Sequence, residues 1–190
     1  MGTLYLVRHG QASFGADDYD QLSKLGVQQS QRLGEYWRAR GMRFDAVLMG
    51  SLKRHRQTWE GIEQGLQQSH TPLVWPGLNE YDSEAVIRCI HPEPLAKPNT
   101  PELYKHHFGL LRKGLHAWMH GQTSPEGMPT FAQFKQGIQD ALVHVQSNHQ
   151  GDVLLVSSGG PISTAVGMLL QTPPESMVEM NMRIRNTAVT

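Results

Sequence analysis

The sequence predicts an α/β domain built on a mostly parallel, buried sheet. Three observations carry that reading. Short apolar runs at Thr3–Val7, Phe44–Met49, Leu73–Trp75 and from Val153 onward alternate with longer segments of helical period. The runs are apolar almost throughout, not at every second position, which is the pattern of strands covered on both faces. No repeat or low-complexity tract interrupts the 190 residues, a length that favours one domain, 1–190, with an ample core.

Thr3–Val7 opens the sheet and runs into the polar loop RHGQASFGADDYD. Leu22, Leu25, Leu33, Tyr36 and Trp37 then keep helical spacing, with Ser23 placed to cap the start and Gly41 to end it. Phe44–Met49 reads as the second strand, and Trp59, Ile62 and Leu66 mark a helix that begins near Lys53 and Arg54. Leu73–Trp75 is a short third strand. Residues 83–100 hold no sustained period and contain Pro92, Pro94 and Pro98, so they read as a loop or insertion. Thr100-Pro101 opens a helix carrying Leu103, His107, Leu110, Leu111, Leu115 and Trp118, and Thr130 with Gln133 forms a capping-box signature ahead of Phe131, Phe134, Ile138, Leu142 and Val145. The stretch VLLVSSGGPIS, 153–163, reads as a buried strand, a tight loop and a helix with Pro161 in its first turn. That helix runs to about Leu170 and is stopped by Pro173-Pro174.

Lys plus Arg and Asp plus Glu each number 17, so no overall field draws the chain to nucleic acid or to a membrane. The lone Cys89 excludes an internal disulfide framework and fits a reducing, cytoplasmic setting. Leu4–Val7 is too short for a signal peptide and ends at Arg8; Leu6 stands where a myristoylation signal needs Ser or Thr; no apolar run reaches the length of a membrane span.

In sheets of this kind ligands bind beyond the carboxyl ends of the strands, where the loops 8–15, 50–54 and 157–160 are expected. Arg8-His9-Gly10 joins a planar fork for oxyanions to an imidazole able to act as nucleophile or proton carrier. Lys53, Arg54 and Arg56 are either an exposed basic turn or a second anchor for an anion. The SSGG loop aims backbone N–H groups and the positive end of a helix dipole at one point, with Ser158 at its tip. Ser158 does not read as a serine-hydrolase nucleophile, since an apolar residue stands where that signature needs its first glycine. His116 and His120 are four apart on a predicted helix and could share a metal, yet no third ligand is apparent in the sequence. Surface or packing roles are expected for them, and packing for His107. No metal or cofactor is expected.

In order along the chain, LYLVRHGQAS, DQLSKLGVQQSQRLGEYW, SLKRHRQT, LNEYD and VSSGG resemble the histidine phosphatase superfamily, the phosphoglycerate-mutase-like proteins. The resemblance covers nearly the whole chain. It implies a three-layer fold in which helices flank a mostly parallel mixed sheet, and an insertion or cap at about 83–130 that covers the pocket and sets the substrate. It also implies that His9 attacks a phosphomonoester and carries the phosphoryl group, while Arg8 and Arg54 hold its oxygens and Gly10 keeps the pocket floor thin. One ring nitrogen of His9 must then face phosphorus unprotonated, so the other should donate to a backbone carbonyl. Glu80 in LNEYD takes the place of the acid that protonates the leaving group, with Asp82 the competing candidate.

Two positions depart from the family pattern. The family usually carries a second histidine where this chain has Ser158, next to Gly159, so a neutral donor replaces a charged one. Restoring it by Ser158→His should raise the rate, provided the loop has room for an imidazole. Gly15 stands where many members have asparagine, and Gln11 and Ser13 could supply the missing hydrogen bonds. The closing NMRIRNTAVT resembles the family's last strand, in short form. Intact Arg8, His9, Arg54 and Glu80 favour a phosphatase for a small phosphorylated substrate or a phosphoprotein. Ser158 and Gly15 favour instead a pocket that binds phosphate without useful turnover. A phosphosugar mutase is the third reading, disfavoured by a chain too compact to retain and reorient an intermediate. The substrate and the oligomeric state are not legible.

Overall fold

The computed structural model describes residues 2–13, 20–96 and 98–190. Among them, four strands form one parallel sheet: β1 (Leu4–Arg8), β2 (Ala46–Met49), β3 (Leu73–Val74) and β4 (Val153–Ser157), in the order β1-β4-β2-β3. The last strand to be made is therefore central, and every residue of β4 is buried. Its neighbours are held in register by the pairs Arg8↔Ser157 and Met49↔Val156.

Alternation along β4 divides the core in two. Val153 and Leu155 face a cluster with Leu6, Leu48, Ile138 and Ile162; Leu154 and Val156 face another with Val7, Met49, Trp59 and Ile62. Helices α1 (Lys24–Arg38) and α2 (Lys53–Leu66) cover the second face. They pack so closely that a Cβ at Gly34 would collide with the carbonyl of Ile62. The first face is covered by α4 (Pro101–Met119), α5 (Phe131–Asn148), α6 (Gly159–Leu169) and α7 (Pro174–Asn181). This is the layered α/β fold that the apolar runs predict. The caps on Ser23 and Thr130 are both formed, the second as a full capping box with Gln133.

Two details differ from the pattern read in the sequence. Within 83–100 lies a six-residue helix, α3 (Ser83–Arg88), capped by Asp82, whose Oδ1 accepts from the N–H groups of Glu84 (2.9 Å) and Ala85 (3.0 Å). It is too short to show a helical period in the sequence. The closing segment runs antiparallel along β1, with Leu6 and Thr190 exchanging hydrogen bonds at 2.9 Å and Arg8 N–H donating to Ala188 O at 3.1 Å. That contact makes the sheet mixed at this edge.

Candidate active site

His9 follows directly on β1, and its backbone N–H donates to Ser157 O at 2.8 Å, so it leaves the sheet beside the end of β4. Gly10 is clamped to α2: its N–H donates to Thr58 Oγ1 at 3.0 Å, and that hydroxyl donates to Arg54 O at 2.7 Å. The His9 ring is 5% exposed, with Nδ1 2.7 Å from Gly10 O. A carbonyl can only accept, so Nδ1 carries the ring proton and Nε2 keeps its lone pair. Burial is the main reason that His9 has its pKa lowered from 6.5 to about 3; the Gly10 carbonyl opposes this, while the charges of Arg54 and Arg8 add to it. The ring is therefore neutral at physiological pH.

The basic turn divides. Arg54 is buried at 8% exposure, whereas Arg56 is on the surface against Glu60 at 3.7 Å. Leu52, at the N-cap of α2, offers no side-chain acceptor. Asp20 takes over: Oδ2 accepts from Lys53 N–H at 2.9 Å and Oδ1 from Arg54 Nη1 at 2.7 Å. Asp20 thus aims the guanidinium, a role missed in the sequence, where the only signal is a helix start without a cap of its own. Arg8 donates through Nη1 to Ile184 O, and its buried Nε has no hydrogen-bond partner among the described residues.

Glu80 lies across the N-terminus of α6. Its Oε2 accepts from Gly160 N–H at 3.1 Å, and a Cβ at Gly160 would collide with the carboxylate. Ser157 Oγ donates to Leu78 O at 2.6 Å, which fastens the end of β4 to the turn that presents Glu80. Burial raises the pKa of Glu80, against the opposing pull of the Gly160 N–H and of the Arg54 and Arg8 charges. A carboxyl shifted toward its protonated form, sharing a cleft with a neutral imidazole, is suited to general acid work.

Arg8, His9, Arg54 and Glu80 come together in one cleft of about 390 Å³, with Tyr104, Phe108 and Leu111 of α4 on the opposite wall. The competing acid, Asp82, is engaged in capping α3. The backbone of Gln11 and Ser13 is fixed by α1 and the segment before it, through Gln11 N–H to Gln29 Oε1 (2.9 Å) and Ser13 N–H to Gln21 O (2.8 Å). Gly15 lies outside the described residues. Gly159 begins α6, with Ser158 as its N-cap residue. Ser158 itself is sealed at 0% exposure, and its Oγ is 2.7 Å from Nε2 of His55, so the room for a larger side chain at 158 is already filled by that ring. His55 went unremarked in the sequence, although its spacing to Trp59, Ile62 and Leu66 places it on the buried face of α2.

A second hollow of about 440 Å³, between α3 and residues 91–96, shares Pro98 and His107 with the cleft. His107 therefore borders both spaces and is only partly packed. Toward the other end of α4, Glu175 of α7 supplies the third group that His116 and His120 lacked in the sequence. The donor atoms of the three lie within 4.8 Å of one another, with His120 Nε2 3.0 Å from Glu175 Oε1. No helix among the described residues is long and apolar enough to cross a membrane.

Comparison with known proteins fits this geometry. A Saccharomyces cerevisiae protein, broad-specificity phosphatase YOR283W, is 33% identical over 84 residues, 40% of this chain and 36% of that protein's length. Among solved structures, a phosphoserine phosphatase from Entamoeba histolytica, in complex with 3-phosphoglyceric acid, superimposes with a TM-score of 0.67 at 20% identity, covering 100% of this chain and 89% of its own. A phosphoglycerate mutase from Bacillus anthracis gives 0.66 at 18% identity, covering 100% and 86%. At such identities these two structures establish the shared fold. The family model for the histidine phosphatase superfamily (branch 1) matches residues 4–190. This chain belongs to the histidine phosphatase superfamily.

Proposed function

We propose that this chain is a phosphomonoester hydrolase working through a phosphohistidine at His9. Nε2 of His9 attacks phosphorus and the bond to the ester oxygen breaks, while Glu80 gives its proton to the departing alkoxide. The Glu80 carboxylate then takes a proton from water. The resulting hydroxide attacks phosphorus, the N–P bond breaks, inorganic phosphate leaves, and both side chains return to their starting states. Arg8 and Arg54 match the planar, charge-spread phosphoryl group, whose three oxygens gain most from fixed cations in the transition state.

The observation that carries the reading is the pairing of protonation states. An imidazole held neutral with Nε2 free shares one cleft with a carboxyl whose pKa burial pushes up, toward the protonated form. The broad-specificity and phosphoserine phosphatases among the similar proteins support small phosphomonoesters as substrates. The aromatic and aliphatic wall of α4, within 83–130, then selects among leaving groups. A phosphate-release assay over a panel of small phosphomonoesters, with His9→Ala as the blank, should find at least one substrate hydrolysed well above that blank.

One observation favours the second reading, a phosphate-binding pocket without turnover: the Ser158 hydroxyl is already engaged by His55. Measurable affinity for inorganic phosphate with release at the His9→Ala rate across the panel selects that reading.

A further inference from the structure

The seam between α4 and α7 gathers donor atoms that the proposed mechanism does not use. His116 in the last turn of α4 and His120 at its C-cap are four residues apart, on one face, and their rings stack with centroids 6.2 Å apart. Glu175, in the first turn of α7, brings one oxygen to both. Its Oε1 is 3.6 Å from Nδ1 of His116 and 3.0 Å from Nε2 of His120. Among the described residues this is the one group of three His, Cys, Asp or Glu side chains whose donor atoms lie within 4.8 Å of one another.

Lone pairs that converge need a cation between them, and a proton serves only one line. Carried on His120 Nε2 it reaches Oε1 at 3.0 Å, but the 3.6 Å from His116 is too long for a second hydrogen bond. A metal ion uses all three donors at once. At metal–ligand bonds of about 2.0–2.2 Å the donors must draw in by roughly an ångström. Half-exposed side chains can do so by rotating. The helices themselves are already in register, because Arg112 pairs with Glu179 one turn away along both α4 and α7.

The donor set chooses the ion. Two imidazoles and a carboxylate suit Zn²⁺ and its neighbours Co²⁺, Ni²⁺ and Cu²⁺, whereas Mg²⁺ and Ca²⁺ call for oxygen ligands. Helical histidines four apart also occur in zinc hydrolases, with a glutamate base directly after the first. Here Ala117 holds that place, so the trio suits holding an ion and not a second hydrolytic centre.

We propose that His116, His120 and Glu175 form a binding site for one divalent ion of the zinc class, which fastens α4 to α7. Water completes the coordination. The ion joins the helix that walls the cleft through Tyr104, Phe108 and Leu111 to the helix that ends beside the cleft at Asn181. The site stands whether or not His9 carries phosphate.

The test is isothermal titration of zinc chloride into the full chain, free of any affinity tag and first stripped with a chelator. One equivalent should bind, and magnesium chloride should give no such heat. His116→Ala, His120→Ala and Glu175→Gln should each weaken binding about tenfold or more, since even an outer partner of a ligand is worth that much. These are surface changes, so without metal the three variants should melt with the wild type. Added Zn²⁺ should then raise the melting temperature of the wild type more than that of any variant. Binding at other surface histidines would survive all three changes. Absence of stoichiometric binding, or wild-type affinity in any one of the three variants, would overturn the site.

Discussion

Two pairs of histidines stand at nearly the same ring separation, 5.8 Å for His9 and His55 and 6.2 Å for His116 and His120. Each pair has a glutamate in its neighbourhood, Glu80 in the cleft and Glu175 on α7. Their surroundings are opposite. The first pair is buried beside two arginines, and burial holds both rings neutral and shifts Glu80 toward its protonated form. The second trio lies at the surface, where hydrogen bonds, first its own backbone N–H and then His120, draw Glu175 below the usual carboxylate range. Residue types and spacing are shared; desolvation makes the difference. In the proposed mechanism it lets one set act as nucleophile and proton donor, and it leaves the other as a polar clasp between α4 and α7.

The largest break in that contrast should come from Glu80→Gln, which removes the proton held by burial. Alkyl phosphates, whose leaving alkoxides need protonation, should lose about a hundredfold or more in rate. p-Nitrophenyl phosphate, with its stable phenolate, should lose far less. Equal losses on both would remove Glu80 from the proton-donor role.

Next in size is crowding of the buried pair. Ser158→His puts a second imidazole where His55 already sits 2.7 Å from the serine oxygen, so it should slow phosphorylation about tenfold or more rather than speed it. Exchanging the ring, by His55→Ala together with Ser158→His, should recover much of that loss. A faster Ser158→His single variant would mean that the His55 ring yields its space easily.

Acid should also tell the two sets apart. An unfolded histidine titrates near 6.5, whereas folded His9 resists protonation down to about 3, so between these values the unfolded chain binds the extra proton. Stability is therefore full above 6.5 and is lost as pH falls toward 3, by at most about 1.4 kcal/mol per pH unit for each such ring. His55 is shifted in the same direction. Urea unfolding of wild type and His55→Phe should show a shallower acid decline in the variant, and identical slopes would contradict the burial argument.

The smallest effect belongs to the surface trio. Without added metal, Glu175→Gln should leave both turnover and thermal melting unchanged within error, as exposed ion pairs contribute little. A clear loss of activity would tie this seam to the cleft.

What could be read from the sequence follows the range of the interactions. The local geometry of Arg8-His9-Gly10 was legible because strand end, imidazole and hydrogen-bonded carbonyl are adjacent residues. The cap on α5 was legible for the same reason. Asp20 was not, because the helix start it caps lies 33 residues away. Ser158 was seen as an oddity, but its explanation is a ring 103 residues distant that meets it only when α2 and α6 flank the central strand. Helix α3 escaped because six residues are fewer than two turns, and the carboxylate that caps it has the same chemistry as a candidate acid. The strand order and the burial of Glu80 against Gly160 depend on the assembled sheet.

The most direct measurement is rapid-quench mass spectrometry on the enzyme mixed with an accepted phosphomonoester. The account predicts an acid-labile phosphoryl group on His9 that forms and decays at rates compatible with turnover, and is absent from His9→Ala. An enzyme that turns over while labelled at Ser158, or while His9 never carries phosphate, would contradict it.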